Sequence, residues 1–431
     1  MRSIKYHIAL IFAASVLSTA AYSQATNELV SRSTDGKSVG TFYDSTAPVI
    51  GGTGEDEGRF VAFISSAKGL GGSLGKYRQI IWRDRKTGET RLVSRGMNGV
   101  EGNQNSFAPA ISADGMAIAY ESYATNLVPI DTNGVRDIFV WNAKTGTTTA
   151  VSTGPGEIET NSESFEPTIS GNGRFIAYTS GASNITPGVE GTSTVNVYLK
   201  DMLSGSTKLI TIDPKTKKGV GGSRPSISED GSKLAFYSFA STLAEGDKNN
   251  LWDIFIYEAG NPKLRRISLT QSGSDRDQGT ESSSRVVSPS ISGDGRRVAY
   301  ATTAANMVGN DTNKLQDVFV TDTTGGNVVR ASTAALGSQG DGDSPIGQGE
   351  KIAITYNGSL VAFNTNAKNL GGNLVVRHVA AGETIAVSRD LTSAVGTPAI
   401  SRTGKCVIYG SNKRLDPKFA SSGIFVTCTT K

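Results

Sequence analysis

The amino-acid sequence predicts an all-β protein, a seven-bladed β-propeller of four-stranded blades in which the N-terminal strand completes the last blade. Three observations predict it. A strand, a Gly-containing tight turn and a second strand return seven times, most clearly as SPSISGDGRRVAY from Ser288 to Tyr300. Two further strand-like runs follow each return, giving units of roughly 60 residues, the signature of an array whose units cannot bury their apolar faces alone. Six fourth runs serve seven units, and a matching seventh, NELVSR, stands at the other end of the chain.

The first two strands of the units fall in residues 47–63, 108–120, 166–178, 224–236, 288–300, 351–363 and 397–409, the sixth copy being degenerate. The apolar alternation of GRRVAYAT is that of a half-buried strand. Third strands read IIWRD (80–84), DIFVWN (137–142), NVYLKD (196–201), DIFIYE (253–258), DVFVTD (317–322), LVVRHV (374–379) and GIFVTC (423–428). Fourth strands read TRLVSR, TTAVST, TKLITI, LRRISL, NVVRAS and TIAVSR, and NELVSR at 27–32 matches TRLVSR at 90–95 almost letter for letter. Pairing the two ends of the chain in one blade removes the open edges that an array would otherwise expose.

The repeat resembles the TolB-type, WD-like propeller unit, which reads P-x-I-S-x-D-G-x-x-[IVL]-A-[FY], then an aspartate-rich loop and D-[IV]-[FY]. Five of the seven units keep P-x-I-S. The resemblance covers nearly the whole chain after residue 23 and concerns the propeller part of TolB only, without its N-terminal domain. It implies a closed propeller and a binding scaffold. Such repeats serve many functions, so function has to be argued from the site.

Residues 1–23 combine Arg2 and Lys5 with a short apolar run and small residues before Ser23, the pattern of a cleaved signal peptide, leaving 24–431 as one propeller domain. The apolar run is too short to span a bilayer. A periplasmic or secreted monomer is expected. Of 43 basic and 39 acidic residues, Arg2 and Lys5 leave with the signal, so the remainder is near neutrality and no nucleic-acid partner is implied. Cys406 and Cys428 are the only cysteines, and an exported chain oxidises such a pair. Pairing Tyr409 with Phe425 across the last hairpin places them opposite each other, which predicts a disulfide.

Strand direction puts the first-to-second and third-to-fourth turns, which are short, on one face. The long connections, such as 270–287, fall on the opposite face, the expected working surface. Three long loops read D-x-N-x-x-x-D: Asp131, Asn133 and Asp137; Asp247, Asn249 and Asp253, with Glu245 added; and Asp311, Asn313 and Asp317. Oxygen ligands alternating around a turn suit Ca²⁺. The loops resemble the later part of the calcium loops of integrin-type propellers, although Pro129 and Gly309 replace a leading carboxylate. The favoured reading of the same residues is self-bonded turns, with the last Asp fixing the start of a strand.

For catalysis the sequence offers little. After the signal one histidine remains, His378, on a strand; no P-loop or dinucleotide fingerprint is present. The reading is a non-enzymatic binding scaffold that recognises an envelope protein or cell-wall glycan through its long-loop face. The alternative is a carbohydrate-active hydrolase or lyase using loop carboxylates.

Overall fold

Repetition of one hairpin phrase builds seven four-stranded antiparallel sheets, each blade hydrogen-bonded in the order of its strands. The computed structural model describes residues 25, 27–37, 45–187, 194–277, 287–334, 337–346, 351–388, 396–416, 418 and 422–429. The expected signal segment and part of the 270–287 loop lie outside them. Third strands occupy the expected residues at Asp137–Asn142, Asn196–Asp201, Asp253–Glu258, Asp317–Asp322 and Gly423–Cys428; the first begins one residue earlier, at Gln79, and the sixth ends at His378. Among the described residues no helix is long and apolar enough to cross a membrane.

The repeat phrase is turn and core chemistry made visible. In I-S-x-D-G the Ser112 hydroxyl donates to Asp114 (2.6 Å) and accepts from the Ala117 amide (2.9 Å), an arrangement repeated by Ser228 with Asp230 and Lys233 and by Ser292 with Asp294 and Arg297. Gly115 follows with φ 76°, and a Cβ there would fall 2.4 Å from the Phe60 ring of the preceding blade. Both the left-handed backbone and the close approach demand glycine. The first blade departs from the short-turn expectation, inserting one turn of 3-10 helix at Gly54–Asp56.

In four blades the [FY] that ends the phrase stacks on an aromatic ring of the third strand. Tyr120 with Phe139, Tyr178 with Tyr198, Phe236 with Phe255 and Tyr300 with Phe319 pair directly across the strands at centroid distances of 5.7–6.1 Å. Such pairs contribute about 0.5–1.5 kcal/mol each beyond their burial. The cores lie between successive sheets, among the described residues as seven apolar clusters each shared by two neighbouring blades.

Closure is as the terminal match predicts. Asn27–Leu29 pairs antiparallel with Gly423–Cys428, Leu29 opposite Phe425, and completes the seventh blade. Leu29 and Val30 are fully buried, and the Leu29 amide donates to Asp416 (3.1 Å). Arg85 of the first blade reaches Glu28 at 2.7 Å, tying the closing strand to its neighbour. In the same blade Cys406 lies opposite Cys428 and the two are joined by a disulfide, enclosing 22 residues of separation.

Candidate functional site

The innermost strands line the axis, and the two ends of the axial channel are built differently. At the short-turn end the turns are hydrogen-bonded to one another around the ring. The Gly52 amide donates to the Ala113 carbonyl (2.8 Å), Ala113 to Gly171 (2.9 Å), Gly171 to Glu229 (2.7 Å), Glu229 to Gly293 (2.8 Å), Asp294 to Tyr356 (2.8 Å) and Tyr356 to Arg402 (2.9 Å). The remaining junction, seventh blade to first, uses a side chain: the Ser401 hydroxyl (2.7 Å) and the Thr403 amide (2.6 Å) donate to Glu57. Arg402 of the seventh blade meets Glu229 of the fourth at 3.1 Å and lies 3.7 Å from the Tyr356 ring centroid. Blades four and seven are as far apart as a ring of seven allows, so this ion pair crosses the axis. Behind it lies a cavity of about 190 Å³ lined by one isoleucine from every blade, Ile50 through Ile400.

At the long-loop end the channel is charged. The residue before the P-x-I-S proline falls near the start of the inner strand, and in the third, fourth and sixth blades the corresponding position carries Glu166, Arg224 and Lys351. Glu166 and Arg224 sit on bulges with φ 57° and 56°, as do Ala47 and Ala108 at 48° and 47°. A left-handed non-glycine residue costs on the order of 1 kcal/mol, so something must hold it there. Here neighbouring carboxylates do: the Glu166 amide donates to Glu121 (2.7 Å), and the Arg224 amide donates to Glu166 (2.8 Å), which also accepts from Thr179 (3.0 Å).

Arg136 braces this wall between Glu121 (3.0 Å) and Glu163 (3.1 Å), with its guanidinium 4.8 Å from the Phe165 ring centroid, while the Tyr123 hydroxyl donates to Glu163 (3.0 Å). Burial pushes the Glu121 carboxyl up, opposed by Arg136 and the Glu166 amide. Lys351, on the sixth blade, feels Glu166, Glu121 and Arg224 on the second to fourth blades, which places its ammonium inside the ring. Confinement by the channel walls lowers its pKa, against the pull of the two glutamates. Its side chain keeps contact with water, so this is a group at an open mouth rather than in a sealed core.

The three aspartate loops share one skeleton. The last Asp of each accepts from a serine two residues past the fourth strand: Asp137 from Ser152 (2.7 Å), Asp253 from Ser268 and Asp317 from Ser332. The Asn turns back on its own loop, its side-chain oxygen accepting from the amide two residues on in Asn133, Asn249 and Asn313 (3.0–3.1 Å). The loops differ in how the first Asp is compensated. In the fourth blade Arg266 meets Asp247 (2.9 Å) and Asp253 (3.3 Å); in the fifth Arg330 meets Asp311 (3.2 Å) and Asp317 (3.3 Å). An arginine there already supplies the positive charge a bound Ca²⁺ would supply, and Glu245 stands exposed on the loop before it. Among the described residues no group of three His, Cys, Asp or Glu side chains is arranged to hold a metal ion.

The second blade has no such arginine. Asp131 is 9% exposed, one carboxylate oxygen is buried with no hydrogen-bond partner, and burial, then Asp137 and Glu159, push its pKa up to about 7. It borders a pocket of about 380 Å³ on the rim. His378, the remaining histidine, accepts from the Ala381 amide (3.0 Å) in a turn. Sequence reasoning missed Lys351, Arg224, Glu166, Glu121, Arg402 and Glu229. The signal available for the first three was the register of the repeat, which places them at one position.

No family model matches the chain, and no curated protein matches it in sequence. Among solved structures it is similar to an oligogalacturonate lyase in complex with manganese, at 12% identity over 95% of this chain and 96% of that one, with a TM-score of 0.55. It is also similar to the β-propeller domain of the Trilobed protease from Pyrococcus furiosus, described as having an open velcro topology, at 14% identity over 89% of this chain and 95% of that one, TM-score 0.53. TolB from Acinetobacter baumannii is a neighbour at 15% identity and TM-score 0.40; this chain aligns over 91% of its own length and spans 65% of that protein's. What these proteins of differing function share with this chain is the β-propeller fold.

Proposed function

We propose that the protein is an exported binding propeller that takes an envelope protein or cell-wall glycan at the long-loop mouth of its channel. The observation that carries the reading is the asymmetry of the axis: the Arg402–Glu229 pair crosses the short-turn end, whereas Arg224 and Lys351 stand at the other end beside Glu121 and Glu166. A rigid ring with one charged, water-accessible mouth suits recognition of a polar chain end or loop. The Cys406–Cys428 disulfide supports export, since such bonds persist in oxidising compartments.

A hydrolase or lyase acting on a sugar chain is the second reading, favoured by Lys351, whose lowered pKa suits a base. Against it, both mouth glutamates are engaged with backbone amides in holding the bulges. Retention of envelope protein and of solubilised cell-wall fragments on immobilised protein tests the first reading. Arg224→Glu with Lys351→Glu should weaken retention by about tenfold or more, equivalent to 1.4 kcal/mol, and Lys144→Glu on the short-turn face should leave it unchanged. Equal retention by all three proteins would refute the mouth as the binding surface; shortened glycan products would move the assignment to the enzyme.

A further inference from the structure

The fourth strand carries its own key to the aspartate loops. Its residue paired with Phe255 in the fourth blade is Arg266, and its residue paired with Phe319 in the fifth is Arg330; each guanidinium reaches back to both loop aspartates. In the first and third blades the corresponding residues are Leu92 and Leu209, opposite Ile81 and Tyr198. The second blade breaks the rule. It keeps the aspartates but pairs Phe139 with Ala150. The truncated side chain leaves a pocket bordered by Asp131, Asp137, Glu159, Ala150, Phe139 and Ile130.

That pocket presents the carboxylates that an arginine answers in the fourth and fifth blades. Asp131 is about nine-tenths buried and lines the pocket, and one of its carboxylate oxygens is buried with no partner, a state that desolvation makes costly. Asp137 is held by Ser152 and Thr160, and Glu159 by Thr132 (2.8 Å), so the acceptors are fixed in place. Beside them Ile130 and Ile158 are 72% and 61% exposed, an apolar lip that a polypeptide can cover and a free cation cannot.

We propose that this rim pocket receives an arginine side chain from a protein partner, its guanidinium taking the place that Arg266 and Arg330 hold in the other blades. The planar, multiply donating guanidinium matches paired carboxylates better than an ammonium does. The pocket lies on the outer edge of the ring, apart from the axial mouth, so this inference stands or falls independently of the function proposed there.

Calorimetry with the capped tripeptide acetyl-Ala-Arg-Ala-amide, its lysine and citrulline counterparts, and CaCl2 alone provides the test. The arginine peptide should bind, the lysine peptide more weakly, and the uncharged citrulline peptide at least about tenfold more weakly. Ala150→Arg should fill the pocket from within, abolishing peptide binding while raising the melting temperature. Asp131→Asn, which removes only the unpaired carboxylate charge, should also abolish binding and decides the matter if Ala150→Arg does not fold. Equal binding of the arginine and citrulline peptides, no arginine-peptide binding at millimolar concentration, binding of CaCl2 in its place, or binding that survives both substitutions would overturn the proposal.

Discussion

A chain lacking residues 27–32 is expected to lose most of its thermal stability and to aggregate. The segment supplies the outer strand of the seventh blade, and with it go Leu29 and Val30, both fully buried. Each buried aliphatic side chain contributes about 1.5–3 kcal/mol, so the pair alone is a large part of the roughly 5–15 kcal/mol that separates folded from unfolded chains. Deletion also bares the edge of Gly423–Cys428, a row of unpaired backbone groups carrying the buried Ile424 and Val426. Exposed edges of this kind pair with other chains. Thermal melts and size-exclusion chromatography with light scattering check it. A truncated protein that melts at the parent temperature as a monomer would show that the ring does not depend on its terminal strand.

Replacing Arg330 by alanine should cost about 3–5 kcal/mol, because it strands Asp311 and Asp317 in surroundings where their side chains are 4% and 0% exposed. The loss should be deepest at neutral pH and shrink on acidification, as the stranded carboxyls take up protons. Adding Asp311→Asn to that variant should recover part of it. The second blade provides the converse in the wild-type protein. Asp131 has a folded pKa of about 7 against an unfolded value near 3.8. A carboxyl whose pKa is raised by folding favours the folded state below the unfolded pKa and loses that contribution as pH rises through the folded one. Asp131→Asn should therefore stabilise the protein by roughly 1–3 kcal/mol at pH 8, with a smaller gain at pH 5. Denaturant melts at the two pH values read both effects; a gain larger at pH 5 would contradict the assignment of Asp131 as an uncompensated buried acid.

The ring and its closure were legible because they rest on local signals. A Ser-x-Asp-Gly turn, an aromatic residue at fixed spacing and a six-residue third strand repeat often enough that the one missing strand could be found at the far end of the chain. The Cys406–Cys428 pairing followed from strand register alone. The loops were legible only as a motif. D-x-N-x-x-x-D suggested Ca²⁺, but what faces each first aspartate is set 19 residues later by the fourth-strand residue, Arg266, Arg330 or Ala150, and that distinction needed the register between third and fourth strands. Least legible was the axis. Arg402 and Glu229 are 173 positions apart, and Glu121 supports the Glu166 bulge from another blade, so their meeting follows from the curvature of the ring and from no local pattern.

Amine labelling of the wild-type protein near neutral pH, read by peptide mass spectrometry with and without saturating envelope protein or cell-wall fragments, tests most directly where the propeller works. Lys351 stands confined at the long-loop mouth with a lowered pKa, and Lys144 is exposed in a turn on the opposite face. Bound material should slow modification of Lys351 severalfold and leave Lys144 unchanged. Protection of Lys144 with Lys351 still reactive would place the binding surface on the short-turn face and contradict the account.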